Sequence, residues 1–174
     1  MDGETRLRML SEFEGDVRAR RTYASKRFTD RGHAIHQDAL REAIVDGNDQ
    51  TLAERLQSQG AFAAYETSHT KNGKQYQKAV PWDAHITYAE GEFNRYYVRA
   101  ICLRAIDGGH AIEVMRAKDV ESPRSASTAL IGTRPPAAQL LEALRTDFRV
   151  DNAFGIPPGP NSGLTVKLVV GVPA

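Results

Sequence analysis

The five histidines are the first residues to weigh for chemistry, and only His33 and His36 are spaced to act together. Three positions apart on a helix, they put two imidazoles on one face, the beginning of a metal site. No third ligand is fixed to them by spacing, and the His-Glu-x-x-His pattern of zinc hydrolases is absent. Solvated or capping histidines are therefore expected, and no metal. His69, His85 and His110 lie in unrelated contexts. Glu90 and Glu92 are two apart on a predicted helix and diverge by roughly 200°, too far to share one reacting atom. Glu113 and Lys118 lack the Glu-x-Lys step of restriction-type nucleases, and Ser122, Ser125, Ser127 and Ser162 have no Gly-x-Ser-x-Gly elbow. Cys102 is the only cysteine, which excludes an intrachain disulfide. It lies in an apolar helical context with nothing nearby to lower its pKa, so a buried structural thiol is expected. The run 155–163 is rich in glycine, but Pro157, Pro158 and Pro160 remove the backbone donors that a phosphate cradle needs. The expectation is a non-enzymatic chain without cofactor. An enzyme would need a cluster of His and carboxylate groups assembled only in space.

The strongest functional signal is positive charge. Between positions 18 and 31 stand Arg18, Arg20, Arg21, Lys26, Arg27 and Arg31, against Asp30 alone, with Tyr23 and Phe28 interleaved. Guanidinium groups engage phosphates bidentately and an aromatic ring can stack on a base, so these six cations are the expected nucleic-acid or anion contacts. The alternatives are a solvated helix face, or arginines pairing with acidic patches on another subunit. Lys71, Lys74 and Lys78 form a second, smaller cluster, and a formal net charge of +1 argues against bulk coating of nucleic acid while permitting a local anionic contact. A second candidate surface is the proline-stiffened loop, where Phe154, Ile156, Pro157 and Pro158 are the expected partner contacts. The opposing reading has Phe154 and Ile156 folded back to plug the end of a sheet.

These residues need elements to position them. Leu7, Leu10, Phe13 and Val17 recur at helical steps from position 4 onward, and the stripe fades into the basic stretch, which is expected to project as an arm until Gly32 interrupts it. A helix is predicted over 33–46 and a short one through 59 capped by Asp49. Alternation around Asn72-Gly73 predicts a hairpin over 65–80 with a type I′ turn. The strongest helix is predicted over 84–106, with Phe93, Tyr97, Ala100 and Ile101 in the core, joined there by Leu144. Strands are predicted at 111–118 and from 164, and a helix capped by Thr133 opens at Pro135-Pro136 with Leu140, Leu141, Leu144 and Phe148 on its apolar side.

The pattern predicts an α+β fold with N-terminal helices, a long central helix and a small, mostly antiparallel sheet. The expected organisation is a basic helical arm over 1–31 and a single α+β domain over 32–174. A length of 174 residues, 41% hydrophobic and 26% charged, suits such a domain and excludes wholesale disorder. No apolar run is long enough for a bilayer, and Met1-Asp2-Gly3-Glu4 lacks the look of a secretory signal, so no membrane partner and a cytoplasmic location are expected.

Three strings stand out as strings: Gly91-Glu92-Phe93-Asn94-Arg95-Tyr96-Tyr97-Val98-Arg99-Ala100, then Ala129-Leu130-Ile131-Gly132-Thr133-Arg134, then the run from Ile156 to Leu164. They span about the C-terminal half and resemble an uncharacterised bacterial and prophage-type family, with a likeness to small head or coat components of tailed phages. The resemblance implies a virion component, in the host cytoplasm and the virion, and transfers no functional residue. The expected function is thus a structural or assembly protein acting through contact surfaces, by self-association or with another protein. The alternative is a nucleic-acid-binding accessory protein using residues 18–31.

Overall fold

A computed structural model describes residues 1–118, 120–159 and 162–171. In chain order the elements are α1 (Gly3–Arg18), α2 (Asp30–Asp46), α3 (Asp49–Ser58), β1 (Tyr65–His69), β2 (Gln75–Ala79), α4 (Ala84–Gly108), β3 (Ala111–Arg116), α5 (Ser125–Thr128), α6 (Ala137–Thr146), α7 (Val150–Ala153) and β4 (Leu164–Val169). The α+β class is as expected, with two separate antiparallel pairs, β1–β2 and β3–β4, in place of one sheet. No described helix is long and apolar enough to cross a membrane. The chain groups into two compact units, one of Met1–Gly15 with Asn94–Ala174 and the other of Asp16–Phe93. This division differs from the arm and single domain expected from the sequence.

In the first of these units β3 and β4 pair from Ala111 opposite Val169 to Arg116 opposite Leu164. Ile112, Val114, Leu164 and Val166 join Val98, Ile101, Cys102 and Ala105 of α4 and Leu140, Leu141 and Leu144 of α6 in one apolar core. Burial pushes the Cys102 thiol up to about 12, so it is inert at neutral pH. Tyr97, expected in the core, is only partly buried beside it, whereas Tyr96 is fully buried edge-on to Phe13. The α1 stripe is rotated from the expected one: Met9 and Phe13 are fully buried and Leu7 is exposed. Thr133 does not cap α6, because its hydroxyl donates to the Leu130 carbonyl at 2.6 Å and Pro136 takes the N-cap position. Phe148 lies beyond the end of α6, under the Arg149 guanidinium.

In the second unit α2 begins at Asp30, three residues earlier than expected. Thr29 is its N-cap and accepts from Gly32 N–H at 3.1 Å, so Gly32 lies inside the helix. Asn48, not Asp49, caps α3: its side chain accepts from Thr51 N–H while the Thr51 hydroxyl accepts from Asn48 N–H, each at 2.9 Å. Phe28, His36, Phe62 and Tyr88 form an aromatic cluster with Phe28 at its centre. The hairpin is present but its turn differs. Gly73 N–H donates to the Thr70 carbonyl and Thr70 N–H to the Lys74 carbonyl, and Gly73 alone takes a positive φ, 78°. That is a three-residue loop closed by a left-handed glycine; a type I′ turn would need positive φ at Asn72 as well.

Candidate nucleic-acid interface

The basic stretch is not a projecting arm. Residues 19–29 follow α1 without regular structure and are fastened along their length within the second unit. Arg21 N–H donates to Asp16 O at 2.8 Å and Arg20 N–H to Val17 O at 3.1 Å, the double closure that ends many helices. Gln37 of α2 donates to the Thr22 hydroxyl, and Tyr88 of α4 donates to the Tyr23 carbonyl while its ring stacks on Tyr23 at 6.0 Å. Ala63 N–H donates to Arg27 O, and Phe28 bridges Phe62. Finally, the Arg27 guanidinium grips Glu66 of β1 with Nε at 2.8 Å and Nη2 at 3.0 Å.

That last contact brings together the two basic clusters that are separate in the sequence. Glu66 faces Lys78 across the hairpin. Its carboxyl is held below the ordinary value first by the hydrogen bond from Arg27, with the charges of Arg27, Lys26 and Lys78 adding to it. Lys26, Arg27 and Lys78 therefore surround one carboxylate at the base of the hairpin, and Lys71 and Lys74 lie at its tip. Arg18, Arg20, Arg21, Lys26, Arg31 and all three lysines are exposed. Of the six expected contact residues, Arg27 is bound bidentately to Glu66, Arg21 holds Asp16 through one nitrogen at 3.3 Å, and Arg31 donates to the Gln59 side chain at 3.3 Å.

Arg20 has a backbone φ of 54°, the only positive φ among the described residues other than glycine. It occupies the helix-ending position that glycine fills without strain, where a residue with a Cβ costs about 1 kcal/mol. A cation is kept where the backbone favours glycine, and such departures from local preference gather at functional positions.

The aromatics expected to stack on bases are the wrong ones. Phe28 is buried in the aromatic cluster and Tyr23 is stacked on Tyr88, because both are needed to fasten the segment. The exposed rings of this unit are instead Tyr65 at 64%, Tyr76 at 46% and Trp82 at 83% exposure. Tyr76 pairs with Ser68 and Lys78 with Glu66, so Tyr76 shares a hairpin face with the Arg27–Glu66 pair; Tyr65 lies on the other face. The alternating run around Asn72-Gly73 announced these strands, but nothing in it signalled that they would pair with no third strand among the described residues.

The other candidates are placed as follows. His36 is buried, its Nδ1 2.9 Å from His33 O, and burial lowers its pKa. Among the described residues no three His, Cys, Asp or Glu groups are gathered to hold a metal. Glu113 is engaged by Arg134 and Lys167 on the β3–β4 surface. Phe154 and Ile156 pack against the apolar core of their unit, and Pro157 and Pro158 remain exposed. Asp151 anchors this loop, accepting from Gly159 N–H and the Ser162 hydroxyl and pairing with Arg124. Pro160 and Asn161 lie outside the described residues.

No family model, no curated protein and no solved structure matches this chain.

Proposed function

We propose that this chain is a non-enzymatic nucleic-acid-binding accessory protein whose contact surface is residues 18–31 together with the tip of the β1–β2 hairpin and the hairpin face that carries Glu66, Tyr76 and Lys78. The observation that carries the reading is the Arg27–Glu66 pair, which joins two exposed basic clusters into one surface. Residues 16–31 and 65–83 hold nine cations and four acids, whereas the rest of the second unit holds two cations and seven acids. The unit is neutral as a whole but sharply polarised, which suits local contact with a phosphate backbone.

The strained arginine supplies the test. Arg20→Gly relieves the left-handed backbone and is expected to raise stability by about 1 kcal/mol, while removing a phosphate contact. Thermal melting and fluorescence anisotropy with a labelled oligonucleotide should therefore move in opposite directions, toward higher stability and weaker binding. Unchanged affinity in a stabilised variant would remove Arg20 from the surface.

A second reading, assembly through contact surfaces as in a virion component, is favoured by the open edges of the hairpin. Among the described residues β1 and β2 pair with no further strand and β2 is exposed throughout, a ready site for strand addition by a further copy. Sedimentation velocity across a concentration series tests it, and a strict monomer at every concentration counts against it. On either reading the protein would act in the cytoplasm, and in the virion as well if it is phage-derived.

A further inference from the structure

We infer that the polynucleotide taken by this surface is single-stranded, with unpaired bases stacked on Tyr76 and Trp82 while the lysines and arginines follow its phosphates. The inference rests on the nucleic-acid reading above and adds the form of the ligand.

Two large rings held out in water beside a cluster of cations need an explanation that charge alone does not supply. A phosphate backbone would be served by the cations, and exposed aromatic surface would add nothing to that contact. Tyr76 lies in register two residues from Lys78, on the face that carries Arg27–Glu66, so a ring and three cations, Lys26, Arg27 and Lys78, are gathered about one face of the hairpin. Trp82 follows Val80-Pro81 after that strand, next to Asp83, whose charge acts on Arg27, and it is the most exposed large hydrophobic residue described. In a duplex the base faces are stacked on one another and only groove edges are offered. In a single strand every base has a free face, and an aromatic side chain gains stacking energy from it whatever the sequence. The pairing of exposed rings with a basic track therefore selects the unpaired form. A protein partner with an acidic, apolar face would meet the same surface, and is left to the test.

Trp82 is the only tryptophan in the chain, so its fluorescence reports on this site alone. The full chain is titrated at low salt with oligo-dT and with a duplex of equal length, following tryptophan emission and the anisotropy of labelled oligonucleotide. Expected are quenching by oligo-dT and tighter binding of oligo-dT than of duplex. The double variant Tyr76→Ser, Trp82→Ser should lose at least about tenfold in oligo-dT affinity with duplex affinity unmoved. Tyr65→Ser, on the opposite face, is the control and should leave both affinities unchanged. Binding of both nucleic acids equally, without quenching, would overturn the single-strand inference and leave the nucleic-acid reading standing. No binding of either at low salt would overturn both. The quenching measurement uses the unaltered protein, so the result does not depend on how well the variants fold.

Discussion

Replacing Glu12 by glutamine is expected to cost about 3–5 kcal/mol of stability, because it removes the carboxylate from a buried arginine. Arg99 is 2% exposed, and Glu12 accepts from it with Nε at 2.8 Å and Nη2 at 2.5 Å. Arg145 closes the other side of the carboxylate with Nη2 at 2.6 Å. Glutamine keeps the shape of the side chain but not its charge. Arg145 is partly exposed and can turn to water; Arg99, buried and lying over the Tyr96 ring, has no such route. Burial pushes the Glu12 pKa up, and the Arg145 hydrogen bond with the Arg99 charge outweighs it, leaving the group below its ordinary 4.5. A carboxylate with a lowered folded-state pKa stabilises fully above the unfolded value and loses that contribution as pH falls through the folded one. The wild type should therefore lose stability below pH 4.5 in part through this residue, and the variant should lack that part. Urea denaturation at pH 7 and through the acid range checks both statements. A loss under about 1 kcal/mol at pH 7 would mean that Arg99 finds water.

Gly32→Ala is expected to destabilise by about 3 kcal/mol, although the same change inside a helix ordinarily stabilises by about 1 kcal/mol. A Cβ at position 32 would stand 2.1 Å from the Ala61 carbonyl oxygen and 3.0 Å from Phe28 Cβ. The carbonyl cannot yield easily, since it accepts from Thr29 N–H at 2.9 Å, while the Thr29 hydroxyl donates to the adjoining Gly60 carbonyl at 3.0 Å. Those bonds hold the N-cap of α2 next to the basic segment, so the substitution should loosen the proposed surface as well as the helix. Gly91 in α4 is the internal comparison: nothing lies within 4 Å of its added Cβ, and Gly91→Ala should stabilise. Thermal melting of the two variants should give opposite signs. A neutral Gly32→Ala would show that the chain at Ala61 moves aside at little cost.

The elements were legible where the period of apolar residues was long and unbroken, as in α4, or where a turn signal sat between alternating runs, as in the hairpin. Their partners were not. Gly32 reads as a break because glycine usually is one, yet its need is for close approach to Ala61, a residue 29 positions away in sequence. The α1 stripe was misread by a fraction of a turn because Leu7 is apolar and exposed while Thr5 is polar and buried. Phe28 and Tyr23 carried the right chemistry for stacking, but only tertiary packing decides which rings remain in water. The six cations of residues 18–31 were visible from composition. Their junction with Lys78 through Arg27 and Glu66 depends on a pairing 39 residues apart that no spacing rule supplies.

The central claim is that this composite surface holds a phosphate backbone, and the salt dependence of binding tests it most directly. Affinity for oligo-dT should fall linearly on a log–log plot against salt, with a slope of about −0.7 for each phosphate neutralised. Replacing Lys71, Lys74 and Lys78 together by alanine should make that slope shallower by about 2 while leaving the melting temperature unchanged, since all three are exposed. Binding that is absent at low salt, indifferent to salt, or unchanged in slope without the three lysines would contradict the account.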